Sequence, residues 1–195
     1  MKKYIAEAIG TYALTTIVAL SLTATKAVIA VPLAAALTLM LFVYTIGSVS
    51  GAHINPAVTL GLMSIKKISV KEGLMYVVYQ FIGAALALII VTKIGHGSTG
   101  TRVVFNATTL CAEIVGAIFF TFGIASVVYG KISDAISGVV IGGSLLLGIL
   151  FAVYMGSNGV LNPAVAFGIS SFGWSYFLGP IIGSVIGFNV YKFLK

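Results

Sequence analysis

The sequence predicts an all-α integral membrane bundle: six spanning helices plus two re-entrant half-helices, arranged as an inverted internal repeat. Three observations lead there: a composition too apolar for a water-facing surface, a series of membrane-length apolar runs, and a set of motifs that occurs twice. Of the 195 residues, 59% are hydrophobic and 8% charged, with a mean hydropathy of +1.15. A soluble globular chain carries roughly 25% charged residues to cover its surface. Here the acids are Glu7, Glu72, Glu113 and Asp134 alone, too few to solvate a soluble fold.

The same composition excludes several function classes. The formal charge of +7 sits at the termini and between apolar runs, without the basic face or aromatic-basic stripe that nucleic acid requires. The single Cys111 lies in an apolar run, so no disulfide framework or thiolate metal site is expected. His53 and His96 lack the nearby partners of a zinc site. No cofactor, metal or catalytic constellation is therefore expected, and the chain does not read as an enzyme. Lys2-Lys3 before an apolar stretch has the outline of a signal peptide. Glu7 inside that stretch, and the return of the same pattern later in the chain, argue for a first span instead.

Runs of about 20 apolar residues are the length of a spanning helix. Six are expected, near 4–23, 27–48, 73–93, 108–129, 136–156 and 174–193. Two stretches near 55–64 and 162–171 are too short to cross and follow a span almost directly, which predicts re-entry. With six spans, Lys2, Lys3, Lys66, Lys67, Lys71, Lys131, Lys192 and Lys195 share one side, and Lys26, Lys93 and Arg102 the other. The excess of cations on cytoplasmic loops then places both termini in the cytoplasm of a multi-pass cell-membrane protein. Asn106-Ala107-Thr108 on the outer side is formally a glycosylation triplet, a pattern common by chance.

The repeat is explicit. Ala6-Glu7-x-x-Gly10 returns as Ala112-Glu113-x-x-Gly116, an offset of 106 residues. Asn55-Pro56-Ala57-Val58-x-x-Gly61 returns as Asn162-Pro163-Ala164-Val165-x-x-Gly168, an offset of 107. Tyr76 and Gly83 return as Tyr176 and Gly183, an offset of 100. The whole chain, 1–195, reads as one domain of two repeats, about 1–100 and about 101–195. Each holds three spans, an odd number, so the second must be upside down relative to the first. Inverted repeats with interrupted helices at matching positions point to a transport site at their interface.

Asn is a favoured N-cap, and Pro suits the first helical position, where its missing N–H costs nothing. One Asn-Pro-Ala is merely a helix start. Two, on short helices in inverted halves, bring both N-termini to mid-membrane. Each such end carries roughly half a positive charge, and together they form a focus that repels protons and cations. The Asn55 and Asn162 amides can donate to a passing oxygen. The non-helical backbone before them, 51–54 and 157–161, can present carbonyls, tolerated at this depth only beside a polar cavity. This describes a pore for small neutral solutes that both give and accept hydrogen bonds.

Ser50-Gly51-Ala52-His53-Ile54-Asn55-Pro56-Ala57-Val58-Thr59, the second copy and both Ala-Glu-x-x-Gly segments resemble the signatures of the aquaporin (major intrinsic protein) family over nearly the whole chain. The resemblance implies an aquaporin-like bundle in the lipid bilayer, assembled as a homotetramer with one pore per subunit. It also implies that Glu7 and Glu113 hold the loop backbone entering each half-helix. A buried carboxylate costs about 2.5–3.5 kcal/mol on insertion scales, so both need partners. His53 is expected to line the inner vestibule, the alternative being a titrating gate.

One departure stands out. Most family members carry Arg after the second Asn-Pro-Ala, where this chain has Val165. Counting along the family pattern, the other filter positions fall at Ala35, Leu150 and Gly159. Water-selective members usually place an aromatic and a histidine at the first two; here all four are apolar and none is aromatic. Loss of the guanidinium should widen the filter and admit glycerol-like molecules, ammonia or dissolved gases beside water. Loss of every side-chain donor should also favour dewetting. The expectation is a passive channel with an arginine-free apolar filter; the alternatives are a closed pore with a structural role and a proton-coupled transporter using Glu7 and Glu113.

Overall fold

The computed structural model describes residues 1–24, 28–95 and 104–195. Lys26, His96 and Arg102 lie outside the described residues. Eight helices follow in order: α1 Lys2–Thr23, α2 Val31–Ser50, α3 Pro56–Ser64, α4 Val70–Lys93, α5 Ala107–Val128, α6 Asp134–Tyr154, α7 Pro163–Gly168 and α8 Trp174–Leu194. Six of them, all but α3 and α7, are long and apolar enough to cross a membrane. No strand occurs among the described residues.

The expected spans sit within a few residues of the observed ones. α2 starts later and runs to Ser50, where Gly51 takes a left-handed φ of 86° and ends it. α7 stops at Gly168, three residues before the expected end, because Ser170 turns left-handed at φ 58°.

Long apolar helices have no hydrophobic drive to associate within lipid, so close approach at small residues decides their packing. α1 packs on α2 and α4, and α5 likewise on α6 and α8. A Cβ added at Gly83 of α4 would come within 2.2 Å of the Ala8 carbonyl oxygen, and one at Gly183 of α8 within 2.3 Å of the Ile114 carbonyl oxygen. Only glycine permits either crossing. α2 then meets α6, which joins the two sets of helices.

The half-helices interlock across that joint. α3 packs chiefly on α8 and α7 chiefly on α4, so each lies against a span of the opposite half. Asn55 and Asn162 are the N-caps and Pro56 and Pro163 the first helical residues, as the motif predicts.

The polar ends are organised too. Lys3 pairs with Glu72 at the start of α4. The Lys67 ammonium lies 4.6 Å, and the Lys195 ammonium 3.6 Å, from the Tyr129 ring centroid. These contacts gather both termini, the α3–α4 turn and the end of α5 at one end of the bundle. At the other end Ser175 accepts from the Asn106 N–H at 3.0 Å and donates to the Asn106 carbonyl at 2.9 Å.

Candidate functional site: a two-sided passage closed by paired half-helices

Each half-helix is aimed by a buried glutamate. Glu7 is fully buried. Its Oε1 accepts from the Ser50 hydroxyl at 2.6 Å and the His53 N–H at 3.0 Å. Its Oε2 accepts from the Ile54 N–H at 2.6 Å and the Gln80 amide at 2.8 Å. Glu113 repeats the scheme with the Ser157 hydroxyl at 2.5 Å, the Val160 N–H at 2.9 Å and the Leu161 N–H at 2.7 Å. An ionised carboxylate only accepts hydrogen bonds, and these strong charge-assisted bonds meet a loop whose free N–H groups need an acceptor.

The carboxylates hold a backbone that would not otherwise stay. Ile54 and Leu161 have φ of 39° and 53°, a left-handed conformation costing roughly 1–3 kcal/mol for a side-chain-bearing residue. Ala52 and Gly159 are also at positive φ. The result is an extended, twisted approach to each Asn. Among the described residues none donates to the carbonyls of Gly51, Ala52, His53, Ser157, Asn158, Gly159 or Val160. These are the acceptors expected along the passage.

The two asparagines lock the centre. Asn55 Oδ1 accepts from the Ala57 N–H at 2.9 Å, which turns its Nδ2 toward the Leu161 carbonyl at 2.9 Å. Asn162 Oδ1 accepts from the Ala164 N–H at 3.0 Å, and its Nδ2 donates to the Ile54 carbonyl at 3.0 Å. An amide nitrogen carries two hydrogens. One is therefore committed to the lock, and the second remains for a solute.

Two cavities flank this centre. The first, of about 520 Å³, starts at Leu22, Val31 and Ser171, opposite the termini, and reaches Asn55 and Asn162. The second, of about 450 Å³, reaches Val128 and Asp134 at the end that carries the termini. His53 borders both, with Nδ1 3.1 Å from the Thr59 hydroxyl. Neither Glu7 nor Glu113 lines either of these two cavities.

Three of the four expected filter positions, Ala35, Gly159 and Val165, line the first cavity. Leu150 does not. It is 37% exposed on the outer face of α6 and borders neither cavity, whereas Ile149 is 5% exposed and lines the first. One residue along a helix is a rotation of about 100°, so a count displaced by one turns a wall residue toward lipid. Ile149 therefore lines the first cavity together with Ala35, Gly159 and Val165, and none of the four is aromatic or charged.

Sequence reasoning also passed over Ser50 and Ser157, although their offset of 107 matches that of the Asn pair. Tyr76, which donates to the Ser50 carbonyl at 2.8 Å, is marked by its return as Tyr176, whereas Gln80 and Thr59 carry no such signal, because only the first half has them.

Comparison with known proteins agrees with this geometry. The family model described as Major intrinsic protein matches residues 1–191. The chain is 32% identical over 189 residues to Aquaporin-1 of Homo sapiens, covering 88% of this chain and 70% of that protein. It is 33% identical over 181 residues to Aquaporin TIP2-2 of Zea mays, covering 84% and 70%. It is 30% identical over 189 residues to Aquaporin AqpM of Methanothermobacter thermautotrophicus, covering 85% and 76%. Among solved structures, the aquaglyceroporin from Plasmodium falciparum has a similar fold, with a TM-score of 0.72 at 20% identity over 97% of this chain and 93% of that one. The chain therefore belongs to the major intrinsic protein family, whose members are passive membrane channels rather than enzymes.

Proposed function

We propose that this chain conducts water and other small neutral solutes through a passage with an arginine-free apolar ring at Ala35, Ile149, Gly159 and Val165. The observation that carries the reading is the pair of Asn amides, each with one N–H left over, between two loops of unpartnered carbonyls in otherwise apolar walls. A solute that both donates and accepts finds partners at every stage. An ion does not, because apolar walls replace none of its hydration shell, and the paired helix N-termini oppose positive charge.

The missing guanidinium widens the ring, which extends the solute class to glycerol-like molecules, ammonia and dissolved gases. Glu7 and Glu113 serve as anchors in this reading; their oxygens are occupied by loop donors and stand off the passage. Both termini lie in the cytoplasm, consistent with the eight lysines gathered at their end, and the chain works as a homotetramer in the cell membrane.

The test is stopped-flow light scattering of liposomes carrying the purified protein after a jump in an impermeant osmolyte. Shrinkage well above empty liposomes with a low activation energy is expected; a rate equal to empty liposomes with folded protein would overturn the reading. Val165→Arg should then lower glycerol entry relative to water by roughly tenfold. Unchanged selectivity would remove Val165 from the ring.

A further inference from the structure

The two cavities meet at a level that differs from that of the four-residue ring. The first cavity has wall residues on both sides of that ring: Leu22 and Val31 beyond it, Leu14, Asn55 and Asn162 within it. The ring therefore does not divide the space. Three residues border both cavities, namely Leu39 of α2, His53 and Phe120 of α5. Along α6 the division falls at the same depth, with Leu145 in the first cavity and Ile141 in the second. Leu39 lies four residues, about 6 Å along the helix, deeper than Ala35.

The members of this waist are firmly set. Phe120 is 2% exposed and Leu39 3% exposed. α5 and α6 touch at Gly116 and Gly148, where a Cβ on either would come within 2.5 Å of the other's carbonyl oxygen. A Cβ at Gly148 would also stand 3.1 Å from the Phe120 Cβ, so Phe120 has a rigid backing. Thr59 steadies the His53 ring.

Building on the channel reading above, we propose that solute size is set at this Leu39–His53–Phe120 waist, on the terminal side of the two Asn-Pro-Ala turns, and not at the ring of Ala35, Ile149, Gly159 and Val165. A bulky phenyl and a leucyl side chain line it with one imidazole, so passage requires a solute slim enough for the apolar pair and is favoured for one able to bond the third member.

Liposomes carrying Phe120→Leu, Leu39→Ala and Val165→Ala would be compared with the unmodified chain for the ratio of glycerol to water permeability. Phe120→Leu keeps an apolar side chain and guards against misfolding, and Leu39→Ala probes the waist from another helix. The expected result is a rise of roughly threefold or more in that ratio in either waist variant and none in Val165→Ala. A ratio that follows Val165→Ala and ignores both waist variants overturns the waist while leaving the channel reading intact. Absence of flux in the unmodified chain and in every variant removes the channel reading itself, and the waist with it.

Discussion

At α3 the Glu7 carboxylate accepts four hydrogen bonds, one of them from Gln80, and Gln80 also donates to the Thr59 hydroxyl at 3.0 Å. At α7 the Glu113 carboxylate accepts three, all from the loop itself. The positions matching His53, Thr59 and Gln80 are Val160, Ala166 and Pro180. Yet both approaches reach the same left-handed backbone and the same reciprocal Asn bonds. Glutamate, serine and asparagine therefore suffice to build the turn. The additional polar groups of the first half do something else: they steady an imidazole at the junction of the cavities, where the second half offers only valine to the first cavity.

This difference can be attacked at several points. The largest effect should come from Glu7→Ala and Glu113→Ala, each stranding buried donors and costing about 3–5 kcal/mol. Glu7→Ala should be the costlier by about 1 kcal/mol, because it abandons four donors instead of three. The midpoint of thermal unfolding in detergent reads this, and equal losses would mean that Gln80 adds nothing. Gly83→Ala and Gly183→Ala should each cost about 1–3 kcal/mol by overpacking. Here the halves ought to respond alike, since both glycines face a carbonyl at nearly the same separation; a marked inequality would show that the halves differ in packing as well as polarity.

His53→Val gives the first half the residue of the second. It removes the polar member of the waist, and water permeability should fall by roughly tenfold through dewetting. Preserved flux would make the imidazole a bystander. The smallest change belongs to Gln80→Leu, about 1 kcal/mol or less, because one side of that amide is already wasted: Gln80 Oε1 has no partner among the described residues. A large loss of stability would contradict the idea that the loop alone builds the turn.

Much of this was legible beforehand, and unevenly. The spans show themselves by length and apolarity, and α3 and α7 by Asn-Pro-Ala, because capping chemistry is local. Glu7 and Glu113 stand out as acids inside apolar runs. What escaped depends on rotation and on distant neighbours. Leu150 and Ile149 are equally apolar, so no composition reveals which faces the passage; the orientation of α6 is set by its contact with α5 at Gly148. Gln80 lies 73 positions from the Glu7 it serves, and without a counterpart in the second half nothing in the repeat marks it out. Phe120 reads as one more apolar residue of a span, and its place at the waist emerges only once α2, α5 and the α2–α3 loop are assembled.

The reciprocal asparagine bonds also constrain the order of biogenesis. A nascent chain that has inserted α1 to α4 has no Leu161 carbonyl to receive the Asn55 amide and no Asn162 to satisfy the Ile54 carbonyl. Unpaired polar groups are expensive within hydrocarbon, and α3 lacks α8, the span on which it chiefly rests. The first half-helix must therefore wait, loosely held by Glu7, until translation delivers the chain from the end of α4 at Lys93 to the end of α8 at Leu194, about 100 residues or roughly 330 Å when extended at about 3.3 Å each. Maturation of the centre is then a single late event shared by both halves, and a truncated first half would be a membrane-inserted helical hairpin set without a finished turn.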